Sequence, residues 1–342
     1  MYQVRLYSED KTMVADLSSD IYYQRAYSAL YESASTYFHF FYEEGCHYVK
    51  FSALKRRIIN VAGIKIDEEL YDLETPYGYG GPISNCMDEQ FLQNAFTAYR
   101  EYCKQHYIIC EFIRFHPFNS MADKSMLFDM HFPERQVVIV DLKKTITERR
   151  NLYSKTTRNI VRKAEKNLLV ETEGVNLNDF IGMYYLTMKK NSASNFFYFK
   201  EDYFKELMNL TGVSLLAIKK ENIYASIGFF MCSKELAHYH LSANNPDFVK
   251  ENGNYLLLDA AFEFAKKQGC KYMMLGGGRT SSPDDSLFLF KSKFSPLISP
   301  FYIAGLDFMP KKRQMLNQIW CEQNQGVQPP KLFQLYRAER NT

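Results

Sequence analysis

The segment from Val213 to Gly278 constrains the fold more than any other part of the chain. It contains three strand-like runs, rich in β-branched and aromatic residues, that are separated by the short polar connections Lys220-Glu221 and Ser233-Lys234-Glu235. Connections of this kind are typical of β-hairpins. A polar loop, a helix beginning near Gly253 and a last strand ending in three glycines follow. This order predicts an α/β (α+β) fold, in which a mixed, mostly antiparallel twisted sheet is flanked by helices.

The length of the chain allows two domains. It has 342 residues, whereas an ordinary domain has about 100–200. Before the basic segment that starts at Lys143, the sequence predicts a complete first unit, with a helix over residues 89–106 and a last strand over 136–141. We therefore predict two domains, residues 1–145 and residues 146–342, with the donor site in the second.

Composition excludes several classes of protein. Hydrophobic residues make up 46% of the chain and charged residues 24%, as in soluble globular proteins. The sequence has no run of about 18 apolar residues, as a membrane helix requires, and its start lacks an apolar signal core. A cytoplasmic protein is therefore expected. The net charge of +3 does not by itself indicate a nucleic-acid partner, and the seven scattered cysteines predict reduced thiols and no metal site.

A basic segment begins the second predicted domain. Lysines and arginines alternate with Thr, Ser and Asn from Lys143 to Lys166, and a helix is predicted over residues 147–167. Arg158 and Arg162 are four residues apart and therefore share one face of that helix. Such a run is either a solvated surface or an anion-binding surface. Few acidic residues interrupt it, which favours the second interpretation.

The strand over residues 237–243 offers a candidate catalytic side chain, His240, and candidate substrate- or anion-binding side chains, His238 and Ser242. Strict alternation would place His238, His240 and Ser242 on one face. A histidine there, His240, is a candidate proton acceptor from an attacking amine, and the nearby Asn244 is a candidate substrate ligand. The alternative is a pair of exposed or hydrogen-bonded histidines without a catalytic role.

Two further features point to anionic or carbonyl groups. Gly253-Asn254 precedes an amphipathic helix with Leu258, Ala261, Phe262 and Ala265 on one stripe, and its first N–H groups suit a phosphate or a carboxylate. Lys291 lies between Phe290 and Phe294, where it could stabilise an oxyanion or form only the polar face of a strand. The sequence contains no HExxH, GxSxG or GxGxxG motif, which disfavours metalloprotease, hydrolase and dehydrogenase functions.

These motifs together resemble the Fem-type aminoacyltransferases of peptidoglycan bridge formation, and more closely the related GNAT proteins of the BioF-type acetyltransferase group. The similarity covers most of the chain, with moderately specific motifs. The matching residues in the second half are Arg158–Lys166, Tyr184–Met188 with Tyr198 and Phe199, His238–Ser242, Gly253-Asn254-Tyr255, Gly269–Lys271, Gly276-Gly277 and Phe290-Lys291 with Phe294. In the first half they are Asp20–Tyr23 and the segment TPYGYGGP, residues 75–82.

The resemblance implies two tandem GNAT-like domains that transfer an acyl group from a thioester or an aminoacyl-tRNA to an amine. It further implies that Arg158 and Arg162 contact an anionic group and that Lys291 stabilises charge at the reacting carbonyl. By the same resemblance Tyr198 would lie on the substrate side, and Tyr255 would join Gly253 and Asn254 on the cofactor side. The region that matches the Trp- and Lys-containing signature of muropeptide-using enzymes reads DIYYQRAYSAL, and this favours a different acceptor.

The predicted function is therefore an N-acyltransferase that uses acyl-CoA, such as acetyl-CoA. Its acceptor would be a small-molecule amine of an amino sugar or a cell-envelope precursor. One alternative is an aminoacyl-tRNA-dependent transferase that acts on a peptidoglycan precursor. The other is a non-catalytic binding protein on a GNAT scaffold.

Overall fold

The computed structural model describes residues 17–32, 35–191 and 193–339. The strands are β1 (Thr36–Glu44), β2 (His47–Arg57), β3 (Asn60–Val61), β4 (Ile64–Lys65), β5 (Tyr71–Glu74), β6 (Ile83–Ser84), β7 (Ile108–Arg114), β8 (Met130–Asp141), β9 (Leu169–Glu171), β10 (Val213–Lys220), β11 (Ile223–Ser233), β12 (Leu236–Asn244), β13 (Tyr272–Gly276) and β14 (Ile298–Asp307). The α-helices are α1 (Arg25–Ala29), α2 (Glu89–Gln105), α3 (Ile146–Leu152), α4 (Lys155–Asn167), α5 (Leu177–Lys190), α6 (Glu201–Met208), α7 (Gly253–Lys267), α8 (Ser286–Lys291) and α9 (Pro310–Gln323).

The described residues form two compact units. Unit 1 comprises residues 17–30 and 135–300, and unit 2 comprises the residues between them together with those from Phe301 onward. This division differs from the predicted domains 1–145 and 146–342, because residues 17–30 group with residues 135–300, and residues 301–339 group with the residues between 30 and 135. The N-terminal part joins unit 1 through hydrogen bonds such as that between Asp20 and His238, 218 positions apart. Local sequence patterns contain no signal for such contacts.

The sheet of unit 1 has the order β8-β13-β12-β11-β10-β9. From β9 to β12 each strand is antiparallel to the next, β12 and β13 are parallel, and β13 is antiparallel to β8. Helix α7 lies between β12 and β13 in sequence, as a parallel pair requires. The meander, helix and final strand predicted for Val213–Gly278 are all present, and the predicted fold class is confirmed.

The core of unit 1 is built around α7. The predicted stripe Leu258, Ala261, Phe262 and Ala265 is fully buried. The adjacent Leu256 and Leu257 are buried as well, so the apolar surface of α7 is wider than one stripe. Burying each large side chain of this kind contributes about 1.5–3 kcal/mol, and this packing fixes the end of α7 that follows β12.

Unit 2 repeats the same succession of elements. Its sheet has the order β1-β2-β5-β7-β14, and β6 pairs with β2. Strands β5 and β7 are parallel, with α2 between them in sequence. Helix α2 begins where the carboxylate of Asp88 accepts a hydrogen bond from the Phe91 N–H, at 2.9 Å, an arrangement typical of N-caps. Each unit therefore joins antiparallel strands to a parallel strand through one buried helix.

The single basic helix predicted over residues 147–167 is wrong. The chain is extended at Tyr153 and Ser154, which separate α3 from α4. The Ser154 hydroxyl accepts a hydrogen bond from the Thr157 N–H at 3.1 Å and starts α4 as its N-cap. Serine competes for backbone N–H groups in this way and therefore favours helix starts over helix interiors.

Within the described ranges, none of the helices combines the length and the apolar character that crossing a bilayer requires.

Candidate active site

The parallel strands β12 and β13 of unit 1 pair over only a short distance. Their register runs from Leu236 opposite Tyr272 to His238 opposite Met274. Beyond His238, β12 continues along β11 to Asn244, whereas the end of β13 follows β8. Because backbone N–H and C=O groups need partners, edges that separate in this way suit a ligand that can bond to both strands.

Lys291 lies beside the end of β13. It is the last residue of α8 and is 8% exposed, and its Nζ donates a hydrogen bond to the Gly277 carbonyl at 2.7 Å. Burial lowers the pKa of Lys291 to about 7; Arg135 acts in the same direction and Asp285 in the opposite one. Lys291 is thus on a helix and not on a strand, and a buried amine that titrates near neutrality is typical of functional sites.

The face of β12 near Lys291 is formed by Tyr239 and Ser242. The Lys291 Nζ is 5.8 Å from the centre of the Tyr239 ring, and the Tyr239 hydroxyl donates a short hydrogen bond to Ser242 Oγ. Burial raises the pKa of Tyr239, an effect that Ser242 opposes. The phenol is therefore protonated at neutral pH.

The predicted alternation of β12 is wrong beyond Tyr239. Phe229 pairs with Leu241 but Phe230 pairs with Tyr239, so the ladder between β11 and β12 shifts by one residue. Such a bulge turns the following side chains to the opposite face. Ser242 accordingly shares a face with Tyr239, and not with His238 and His240 as predicted.

His238 and His240 lie in a buried polar network with the N-terminal part of unit 1. His238 Nε2 is 2.7 Å from the Asp20 carboxylate. The two ring nitrogens of His240 contact the hydroxyls of Tyr22, at 3.1 Å, and Tyr203, at 2.9 Å. Burial, together with His238, lowers the pKa of His240 to about 3. A neutral ring held on both sides by hydroxyls is better suited to support the strand than to accept a proton from an amine at neutral pH.

The start of α7 has a different N-cap from the predicted one. Asn252, not Gly253, is the N-cap; it has left-handed backbone angles and its side chain makes no capping hydrogen bond. Gly253 lies against β11, because a Cβ atom there would be 2.9 Å from Ser226 Oγ. The glycine thus has a packing role. Tyr255 accepts a hydrogen bond from Lys293 Nζ at 2.8 Å and packs edge-on against Phe290, beside Lys291. For Asn254, a cofactor contact stays a prediction.

The remaining predicted residues are dispersed over unit 1. Arg158 donates hydrogen bonds to the carbonyls of Asn151 and Tyr153 and thereby joins α3 to α4. Arg162 is exposed on α4. The ring of Tyr198, which is 40% exposed, stacks on Tyr185. Asn244 Oδ1 accepts a hydrogen bond from Ser226 Oγ at 2.7 Å at the end of β12.

Among the predicted residues, Ser242 is linked to Lys291 through Tyr239. Tyr255 contacts Phe290 and Lys293, which lie on either side of Lys291 in sequence. Four residues around Lys291 had no predicted role: Tyr239, Gly277, Arg135 and Asp285. The glycine run that ends β13 was a usable signal, since consecutive glycines mark close approaches of the backbone. The roles predicted for the site residues, and the absence of a metal site, stay predictions.

Compared by sequence, the chain matches no protein-family model and no curated protein. Its structure, however, is similar to several solved structures. FemX superposes with a TM-score of 0.64 at 14% sequence identity, and the match covers 88% of this chain and 94% of that one. The C-terminal domain of a putative lysylphosphatidylglycerol synthetase from Agrobacterium fabrum superposes with a TM-score of 0.51 at 14% identity, over 90% of this chain and 96% of that domain.

A conserved protein of unknown function from Bacteroides thetaiotaomicron also superposes with a TM-score of 0.51, at 12% identity, over 85% of this chain and 91% of that one. At these identities the likeness concerns the fold alone. The chain has a fold similar to that of FemX, and the Fem-type resemblance inferred from its motifs is confirmed at that level.

Proposed function

We propose that this chain is an N-acyltransferase whose reacting carbonyl is bound where β12 and β13 separate, next to Lys291. The donor is an acyl-CoA thioester, and the acceptor is a small amine of an amino sugar or a cell-envelope precursor. The amine nitrogen forms a bond to the carbonyl carbon, the carbon–sulfur bond breaks, and the proton lost by the amine ends on the CoA thiol. The observation that supports this proposal most is the buried lysine beside the end of a parallel strand.

Lys291 serves in this proposal as the stabiliser of charge on the carbonyl oxygen. In its protonated form it is a buried cation, and a preorganised cation in a site of low dielectric stabilises an oxyanion strongly. Its resting partner is a neutral carbonyl, that of Gly277, so that it can turn to the substrate without breaking an ion pair. His240, the predicted base, is held by two tyrosine hydroxyls; proton removal is therefore assigned to water or to the substrate.

The start of α7 is the candidate site for the phosphates of CoA. This helix has 15 residues and lacks a side-chain cap, and the positive end of a helix dipole favours anions. Gly253 and Asn254 form its first turn. Tyr255 and Lys293 extend the polar surface from there toward Lys291.

The donor is tested by thermal unfolding with millimolar acetyl-CoA, and with free CoA as a comparison. A ligand at about 100 times its dissociation constant adds about 2.7 kcal/mol to the free energy of unfolding, so the melting temperature should rise clearly. The variant Lys291→Met should keep this rise, because Lys291 contacts the carbonyl and not the phosphates. If neither compound raises the melting temperature, the acyl-CoA proposal fails.

A second candidate donor, an aminoacyl-tRNA, is favoured by the exposed face of α4. Lys155, Arg162 and Lys166 recur there at helical spacing, with Lys163 beside them, and all four are exposed. Glu165 is engaged by Arg150 on another side of the helix. Four neighbouring cations suit the phosphates of a nucleic acid.

Salt dependence tests this candidate. If tRNA binds this face, its affinity should fall steeply between about 50 and 200 mM salt. Replacing Lys163 and Lys166 by alanine should flatten that dependence. Replacing Lys189 and Lys190, which are exposed at the end of α5, is the matched control. Equal slopes for the two double variants would exclude α4 as the tRNA surface.

A further inference from the structure

The turn between β13 and α8 is built around two glycines. A Cβ atom at Gly277 would lie 2.7 Å from the Gln136 carbonyl, and one at Gly278 would lie 2.4 Å from Asp285 Oδ1. Neither position can hold a side chain without displacing its neighbours. The backbone of this turn is therefore held close to β8 on one side and to the Asp285 carboxylate on the other.

Three charged side chains meet at this turn. Lys291 Nζ donates to the Gly277 carbonyl at 2.7 Å, and Arg135 donates to the Gly278 carbonyl at 2.6 Å. The carboxylate of Asp285 occupies the space that a side chain at Gly278 would need. Two cations thus bind successive carbonyls of the turn, and one anion lies beside them.

Asp285 also organises the loop that leads to α8. Its Oδ2 atom accepts hydrogen bonds from the N–H groups of Arg279 and Thr280, at 3.1 and 3.0 Å. Its Oδ1 atom accepts from the N–H groups of Leu287 and Phe288, at 2.9 and 3.0 Å. One carboxylate thereby joins the first residues after the turn to the first turn of α8, the helix that ends at Lys291.

We infer that Asp285 is the positioning residue of Lys291: it fixes both the turn that receives the ammonium group and the helix that bears it, and it places a negative charge beside that turn. The inference deepens the proposed function and rests on it for the role of Lys291. Asp285 itself contacts no reacting atom in this account.

The groups around Lys291 affect its protonation in opposite directions. Arg135 from β8 opposes protonation, and Asp285 favours it. Tyr239 from β12 presents its ring, and Tyr255 from α7 is engaged by Lys293. Although partial burial acts against it, hydrogen bonds from the N–H groups of Phe288, Thr280 and Arg279 lower the pKa of Asp285 to about 2. The carboxylate is therefore charged wherever Lys291 titrates.

The experiment follows the titration of Lys291 in the full-length protein without substrate. The protein is labelled with ¹³C at lysine Cε, and the signal of Lys291 is identified by its absence in Lys291→Met. In Asp285→Asn the midpoint of this signal should move at least about one pH unit lower, because an opposite charge nearby shifts a pKa by about one to three units. Asp284→Asn is the matched control, because Asp284 is the adjacent, exposed aspartate. In this variant the midpoint of the Lys291 signal should equal that of the wild type.

A second variant separates the charge of Asp285 from its hydrogen bonds. Serine is also a strong N-cap residue, so Asp285→Ser should fold with α8 intact and still lower the Lys291 midpoint. If Asp285→Asn and Asp285→Ser titrate like Asp284→Asn, the inference is overturned. Because this readout needs no substrate, it is independent of whether the protein transfers acyl groups; the proposed function would fail instead if Lys291→Met retained full transfer activity.

Discussion

At the scale of single residues, the burial of Lys291 lowers the free energy of unfolding at neutral pH. Its pKa falls from 10.5 to about 7 on burial, so between these values the unfolded chain binds more protons than the folded one. The stability that it contributes is therefore complete only above about pH 10.5 and is lost as the pH falls through 7. A buried lysine of this kind therefore lowers the free energy of unfolding at neutral pH.

We expect Lys291→Met to raise the free energy of unfolding by a few kcal/mol at pH 7, less about 1 kcal/mol for the lost hydrogen bond to Gly277. The gain should decline toward pH 10. Denaturant unfolding at several pH values measures it. Lys293→Met, which changes an exposed lysine on the same segment, should show no such pH dependence. A variant Lys291→Met that is less stable than the wild type at pH 7 would contradict this account of the site.

Glu111 in unit 2 is a buried acid, and its contribution to stability depends on pH in the opposite direction. It lies in the middle of β7, is 3% exposed, and accepts a hydrogen bond from the Tyr99 hydroxyl at 2.8 Å. Burial raises the pKa of Glu111 to about 8, although Tyr99 acts against this. The folded protein therefore binds more protons between about pH 4.5 and 8, and the stability due to Glu111 is lost as the pH rises through 8.

The variant Glu111→Gln should accordingly match the wild type near pH 5 and exceed its free energy of unfolding by a few kcal/mol at pH 9. Glutamine keeps an oxygen for the Tyr99 hydroxyl. The control is Glu101→Gln on the exposed side of α2, whose effect should not vary with pH in this range. Parallel pH profiles for Glu111→Gln and Glu101→Gln would show that Glu111 is not buried as described.

At the scale of elements, two glycines that begin or occupy helices should respond in opposite ways to alanine. Gly182 lies on the exposed side of α5 with no atom near the place of a Cβ, whereas Gly253 starts α7 against Ser226 and Ala225. We expect Gly182→Ala to stabilise the protein by about 0.5–1 kcal/mol. Gly253→Ala should destabilise it by about 1–3 kcal/mol, because α7 must move away from β11. Thermal unfolding distinguishes the two; equal effects would contradict the close packing of α7.

The elements also show which features a sequence can predict. The buried stripe of α7 was predictable because its residues recur at helical spacing. The bulge of β12 at Tyr239 was not, since it depends on the register with β11, and it moved Ser242 to the other face. The end of α3 had a local signal, the capping serine Ser154, which the long run of basic residues obscured.

At the scale of the whole molecule, the fold class followed from one segment, but the division into units did not. Residues 17–30 belong to unit 1 and residues 301–339 to unit 2, through contacts between distant parts of the chain. The candidate site likewise depends on contacts that the sequence does not predict. Lys291 was a candidate from its aromatic neighbours and its motif, whereas Asp285 and Arg135 became candidates only when the glycine turn placed them beside it.

The central claim is that Lys291 promotes acyl transfer from a thioester. It is tested most directly by measuring release of the CoA thiol from acetyl-CoA in the presence of a panel of amines, including amino sugars. The wild type should release thiol with at least one amine, and Lys291→Met should be about 100- to 1,000-fold slower while still binding acetyl-CoA. Equal rates for the two proteins, or donor binding by the wild type without release for any amine, would contradict the account.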